Sequence, residues 1–489
     1  MSGEGARYVI GVDQGTGSTK AIAVDRGGEV VARTSVGVGL RHPGPGQVEQ
    51  DALEILGSVE TALATLARGL DAPVAAVGLS TQRESAVLWD TASVRPLGPI
   101  LGWQDRRTVD DARRLVAAGH EPRVRDLTGL PIDPMFSALK FARLLDETDP
   151  DRSRARAGAI TAGTVDAWLV AALTGDRRIE VGNASRTQLL ALHDANWHPW
   201  LLERFGVPSA VLPGIAASDR HSSAVRTIPE LRGTAITGVL GDSHAALFAH
   251  GVRDPGAVKV TYGTGSSLLG LGPADGTGLV NTIAWGVPGP EHAFEGNILS
   301  TGATLVWLAG VLGCTPDELA ALAAGARQDH GVDLVPAFGG LGAPWWDVEA
   351  RTVLTGFSFG TGAAELARAA LESIALQVED VVAAADVAAG GRVDTLLIDG
   401  GPAANDVLAQ LQADLSRRRV ERADTADLSA LGAAHLAGLS AGFWDSAQLQ
   451  ALPRPRTVFE PSLEPRIVER RQASWHRALN ASRYAKERT

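Results

Sequence analysis

Short apolar runs alternate with glycine, hydroxyl and charged residues through the first eighty positions. YVIGVD (8–13) and KAIAVD (20–25) read as strands joined by the tight turn QGTGST, and VVARTSVGV (30–38) as a third. A helix is expected from about Asp51 to Arg68, because Leu56, Val59, Leu63, Leu66 and Leu70 recur at three- and four-residue spacing. Asp51 and Glu54 have the spacing of a capping box, and Gly69 suits the stop. VAAVGLS (74–80) is an unbroken apolar run, typical of a strand covered on both faces. The order is three meandering strands, a helix, then a buried strand.

The same pattern returns later. AVKVTYGTGSSLLGLG (257–272) again runs strand, glycine-hydroxyl turn, strand, with Gly263–Ser266 answering Gly15–Ser18. DTLLIDGGPAAND (394–406) is a strand ending in a Gly-Gly turn, followed by the helix VLAQLQADLS. Two related domains are therefore expected, divided near residues 245–255.

Composition narrows the partners. A chain of 489 residues exceeds one core, and 45% hydrophobic with 21% charged residues describes an ordinary globular protein. The net charge of -11 argues against nucleic acid or an anionic membrane as the main partner. The single cysteine, Cys314, excludes an internal disulfide framework and a cysteine-based zinc site, and fits a reducing compartment. No basic-then-apolar leader and no apolar run near the ~18 residues of a bilayer span are seen, so a cytoplasmic protein is expected. The eleven histidines show no metal-ligand spacing and read as structural or surface residues, with His244 at a pocket rim.

The turn GVDQGTGSTK (11–20) matches neither GxxxxGK[ST] nor GxGxxG. It leads from strand to strand, so a phosphate would be held by the turn's own N–H groups and not by a helix N-terminus. Asp13, at the C-terminal end of its strand, suits a Mg2+ ligand beside phosphates. Asp242, in VLGDSHAAL, follows an apolar strand end and precedes a helix, where a carboxylate can face a cleft.

With these turns stand VDQGTGSTKA, GLSTQRESAVLWD, WQDRR, TGLPIDPMFSALK, GDSHAALFAH, TYGTGSS, PAFGGLGAPWWD and DGGPAAND, in that order. Together they resemble the FGGY carbohydrate kinases, most closely their glycerol kinase branch, nearly end to end. The resemblance implies an α/β fold of two actin/ribonuclease-H-like ATPase domains around a central cleft. Residues 1–250 would form the N-terminal domain, with the polyol site and first phosphate hairpin. Residues 251–489 would form the C-terminal domain, with the second hairpin and the adenosine-binding loop.

The implied activity is ATP-dependent transfer of the γ-phosphate to a terminal hydroxyl of glycerol or a related small polyol, with Asp242 as general base. Carried over by motif, Arg83, Glu84, Trp103, Met135, Asp242 and Ser243 hold the substrate. Gln14, Gly15, Thr16, Gly17, Ser18, Lys20, Thr264, Gly265, Gly302, Gly400, Gly401 and Asn405 hold ATP, and Asp13 and Asp242 hold Mg2+. The partner is a small polyol or sugar, with no nucleic acid and no membrane, and a homodimer or homotetramer stays open.

The chain departs from the branch pattern in several places. Met135 stands where tyrosine is usual, Ser243 where glutamine follows the catalytic aspartate, and Ser267 where an aromatic follows the second turn. Each change removes bulk or a contact, which points to a wider pocket and a four- or five-carbon polyol or ketopentose as the alternative substrate. Lys20 replaces an arginine, a point charge without the bidentate fork. Pro402 and Val306 replace alanine and glutamine near the nucleotide base. An actin-like ATPase without an alcohol substrate is the alternative from another class, but it has no use for Arg83, Glu84 and Trp103.

Overall fold

The computed structural model describes residues 5–389 and 391–484. Two compact units emerge. The first takes in residues through Val252, 281–292 and 427–453; the second takes in 253–280, 293–426 and 454 onward.

In the first unit the hairpin Tyr8–Gln14/Ser18–Asp25 is extended by Val30–Gly37, all antiparallel. On its other side Tyr8–Gln14 lies parallel to Val74–Thr81, which lies parallel to Ala235–Gly241, and Ser223–Ala224 closes the edge antiparallel. The intervening helix is Ala52–Gly69. Asp51 caps it through Leu53 N and Glu54 N, but the reciprocal half of the capping box is absent, because Glu54 accepts from Gly39 N at 2.7 Å instead. Its buried face is Ile55, Val59, Ala62, Leu63 and Leu66, so Ile55 takes the place foreseen for Leu56.

The second unit repeats this order. Ala257–Tyr262 pairs antiparallel with Ser266–Leu271 and parallel with Thr395–Asp399. Ser266–Leu271 also pairs antiparallel with Pro290–Ile298; Thr395–Asp399 continues parallel to Arg419–Ala423, and Arg456–Phe459 closes the edge antiparallel. The two glycine-hydroxyl turns therefore occupy the same place in two like sheets. That bears out the echo between Gly15–Ser18 and Gly263–Ser266.

One packing feature holds the first unit together. Gly11, Gly78 and Gly238 stand side by side on the three parallel strands. The helix Leu428–Ser440 lies across them: a Cβ would come 1.9 Å from Ala430 O at Gly11, 2.0 Å from Ala433 O at Gly78 and 2.7 Å from Ala437 N at Gly238. Gly432 on the helix answers by lying against Ala245, where a Cβ would come 1.8 Å from the Ala245 carbonyl oxygen. Only glycine allows backbone to approach backbone this closely. Among the described residues no single helix is long and apolar enough to cross a membrane.

Candidate active site

Three parallel strands of the first unit end together. Asp13 sits opposite Ser80 in the pairing, and Thr81 opposite Gly241, so Asp13, Arg83 and Asp242 emerge at one carboxyl edge. This edge is where parallel α/β sheets bind ligands, because the strand ends deliver side chains and helix starts together. Ser80 Oγ donates to Asp13 Oδ1 at 3.0 Å. Burial and the neighbouring Asp242 charge push the half-buried Asp13 carboxyl up to about 7, against the pull of Ser80 and Lys20.

Asp242 opens the helix Asp242–Ala249, whose N-cap is Gly241, so helix capping does not account for this aspartate. Its Oδ1 accepts from Arg83 Nε at 3.1 Å and from Ser243 N at 2.6 Å, and Ser429 Oγ donates to its carbonyl at 3.0 Å. His244 is fully buried, not on a rim, with Nε2 3.2 Å from Arg83 Nη1. Arg83 is thus held from below while it reaches the carboxylate. Glu84, buried and at φ 56°, accepts from buried Arg186 Nε at 2.6 Å. Positive φ in a non-glycine residue beside such partners is a common mark of functional sites.

The first turn is braced from within. Gly15 N donates to Ser18 O at 2.9 Å. Beneath it Gln82 Nε2 donates to Gln14 Oε1 at 3.0 Å and Gln50 Oε1 at 2.9 Å, and Gln50 Nε2 donates to Thr16 O at 2.8 Å. Gln14 is wholly buried in this network and serves the turn from inside. Trp103 Nε1 donates to Thr16 Oγ1 at 3.0 Å, which joins a substrate candidate to the phosphate turn. Lys20 Nζ pairs with Asp427 at 3.0 Å. Ser18 is half-buried at the strand start. Gly17 is different: a Cβ there would meet nothing within 4 Å and its φ is ordinary, so no packing in the fold demands glycine. Open space at such a position suits the close approach of an anion to the backbone.

In the second unit the turn is folded on its own neighbours. Thr264 O accepts from Thr301 N at 2.9 Å and Ala303 N at 3.1 Å, and Gly263 O from Gly302 N at 2.9 Å. Gly265 and Gly302 are glycine for packing, since a Cβ would lie 2.3 Å from Ile298 O and 2.6 Å from Gly263 O. Gly400 has φ 93°, and a Cβ there would lie 2.0 Å from Tyr262 O, again a backbone need. Gly401 alone of these has nothing within 4 Å. Asn405 caps Asp406–Ser416 through Val407 N and Leu408 N. Val306 is 63% exposed on Gly302–Leu312.

Ser80, Gln50, Gln82, Arg186 and Lys140 also belong to the first-unit site, and the sequence reading did not single them out. Gln82 adjoins Arg83 and Lys140 closes the TGLPIDPMFSALK run, yet neither has a spacing rule of its own. No group of three or more histidine, cysteine, aspartate or glutamate side chains that could hold a metal occurs among the described residues. What the edge offers is the Asp13 and Asp242 pair. Two carboxylates whose like charges repel suit Mg2+, which takes one or two carboxylates and completes its shell with phosphate oxygens and water.

Residues 8–249 match the N-terminal domain model of the FGGY family of carbohydrate kinases, and residues 258–441 its C-terminal domain model. The chain is 43% identical to a glycerol kinase of Aromatoleum aromaticum over 97% of its own length and 99% of that protein. It is 39% identical to an apulose kinase of Pectobacterium atrosepticum, over 98% of itself and 99% of that protein. Among solved structures it resembles the glycerol kinase of Plasmodium falciparum with ADP, at TM-score 0.92 and 27% identity, covering 97% and 98% of the two chains.

Proposed function

Because the chain belongs to the FGGY family of carbohydrate kinases, we propose that it transfers the γ-phosphate of ATP to a terminal hydroxyl of glycerol or a related small polyol. The observation that carries this reading is the meeting of Asp13, Arg83 and Asp242 at one edge of three parallel strands. Asp242 accepts the hydroxyl proton as the acceptor oxygen bonds to phosphorus and the bond to the ADP oxygen breaks. Arg83 and Glu84 hydrogen-bond neighbouring hydroxyls, the Trp103 indole covers the C–H side, and Met135 and Ser243 bound the acceptor. Gln14–Ser18 and Lys20 serve the transferring phosphate from the first unit. In the second unit Thr264, Gly265 and Gly302 serve the triphosphate, and Gly400, Gly401 and Asn405 the adenosine. Mg2+ held by Asp13 and Asp242 would offset the phosphate charge during transfer.

In this reading residues 1–250 form the polyol domain and 251–489 the adenosine domain of a cytoplasmic enzyme, while Leu428–Ser440 packs with the former. A second acceptor reading is favoured by two observations. Met135, Ser243 and Ser267 all reduce bulk, and a relative named apulose kinase is nearly as similar as the named glycerol kinase. A four- or five-carbon polyol or ketopentose is therefore the alternative acceptor.

The test is ADP release with glycerol, erythritol, threitol, ribitol, xylitol and ketopentoses in turn. ADP release should rise with at least one of them, and the highest kcat/KM names the acceptor class. Release that none of them raises would overturn the kinase reading in favour of an ATPase, and a large preference for glycerol would overturn the wide-pocket alternative.

A further inference from the structure

Lysine is scarce here, four of 45 basic residues, so a lysine buried completely is unusual twice over. Lys140 lies in the first turn of Ser137–Thr148 and has no solvent exposure. Its Nζ donates to three backbone carbonyls: Glu84 O at 2.9 Å, Gly102 O at 2.7 Å and Met135 O at 2.7 Å. These belong to three separate segments, and each carries or precedes an acceptor candidate: Glu84, Trp103 and Met135.

A buried ammonium is costly and is kept only where its hydrogens are all used. Burial pushes Lys140 down to about 7, with Glu84, Asp105 and Asp133 pulling it back up and Arg106 pushing it further down. An ammonium is suited to the task because it offers three donors from a single atom in a tetrahedral spread, which neither an amide nor a planar guanidinium can converge on one point. The same helix ties one strand of this junction a second time, through Ser137 Oγ to Ser85 O at 2.9 Å.

We propose that Lys140 is the positioning residue of the acceptor site, fixing the backbones of Glu84, Gly102 and Met135 so that the side chains of Glu84, Trp103 and Met135 meet the substrate in register. This rests on the acceptor site described under Proposed function. Lys140 touches no substrate itself; it acts through the three segments. Loss of the tie lets them drift, and displacements near 1 Å at a site are worth up to about a hundredfold.

Lys140→Met, Lys140→Gln and Lys140→Arg are compared with wild type and with Leu145→Ala, a fully buried position on the same helix that touches none of the three carbonyls. Tm, KM for the best acceptor and KM for ATP are measured for each. The expected result is an acceptor KM raised about tenfold or more in every Lys140 variant that folds, with KM for ATP within about twofold of wild type. Leu145→Ala should lower Tm and leave the acceptor KM near wild type, which a merely stabilising role for Lys140 would not predict. The inference is overturned if Lys140→Gln or Lys140→Arg keeps the wild-type acceptor KM, or if Leu145→Ala raises it equally. A wild type that phosphorylates nothing in the panel overturns the site reading and this inference with it, whereas an active wild type with unchanged variants overturns this inference alone.

Discussion

Replacing Gly78 by alanine tests the glycine row directly. The new Cβ would stand 2.0 Å from Ala433 O and 2.3 Å from Ala433 C, where even a tight contact needs 3.0–3.4 Å. Leu428–Ser440 must then recede by about 1.0 to 1.4 Å. It cannot do so by tilting at one point, since Gly11 and Gly238 meet it at other turns and its own Gly432 seats it on Ala245: a Cβ at these three would lie 1.9, 2.7 and 1.8 Å from the facing backbone. Overpacking of this kind costs about 1–3 kcal/mol. At roughly 2–4 °C per kcal/mol for a unit of this size, the apparent Tm should fall by about 2–12 °C. Activity should fall too, because the displaced helix carries Ser429, which bonds Asp242 O, and follows Asp427, which pairs with Lys20. Gly57→Ala supplies the control: Gly57 sits inside Ala52–Gly69, a Cβ there meets nothing within 4 Å, and alanine should stabilise by about 0.4–1 kcal/mol. Thermal unfolding and ADP release are measured on both variants. A Gly78→Ala protein that melts at or above wild type would refute the close-approach account.

Asp242→Asn keeps the shape and removes the base, so kcat should drop about 10²–10⁴-fold with little change in Tm; a variant retaining a tenth of wild-type turnover in the ADP assay defeats the assignment. Met135→Tyr restores bulk and a hydroxyl beside the acceptor, and should move the glycerol-to-larger-polyol ratio of kcat/KM about tenfold towards glycerol, an unchanged ratio counting against Met135 as a selector. Burial pushes the Asp166 and Glu180 carboxyls up to about 6 and about 7. Folded chains therefore keep protons that unfolded chains release, and the stability they carry is full below about pH 4 and lost as pH rises through 6 and 7. Asp166→Asn removes one of these titrations, so its loss of unfolding free energy between pH 5 and 8 should be smaller than that of wild type by about 1.4 kcal/mol. Denaturant titrations at the two pH values decide it, and a larger loss in the variant has the wrong sign.

Local structure was largely legible in the sequence because it is set locally. The strands around QGTGST, the helix after Asp51 and the strand ending before Arg83 follow from apolar spacing within a dozen residues. Asp13 and Asp242 could be picked out because each stands at the end of an apolar run inside a motif that carries the family resemblance. What escaped depends on partners far along the chain. Glu54 was free to choose Gly39 over its own N-cap, and nothing local announces that preference. Gln50 and Gln82 matter only where two strands and a turn converge, 32 residues apart. Lys140 had a signal that went unused: a lysine inside an apolar helix start, in a chain that otherwise spends arginine. The row of Gly11, Gly78 and Gly238 looked like three unrelated strand glycines until the sheet aligned them.

The seating of Leu428–Ser440 on that row also fixes an order of assembly. The chain leaves the first unit at Val252 and delivers this helix only after Asp427, about 175 residues later. At roughly 5–20 residues per second of synthesis, the ribosome spends about 10–35 s on that interval. During it the nascent sheet has every strand but not the helix that covers its glycine face. The first half of this protein is thus made early and finished late, and its dependence on chaperones should be concentrated in that wait.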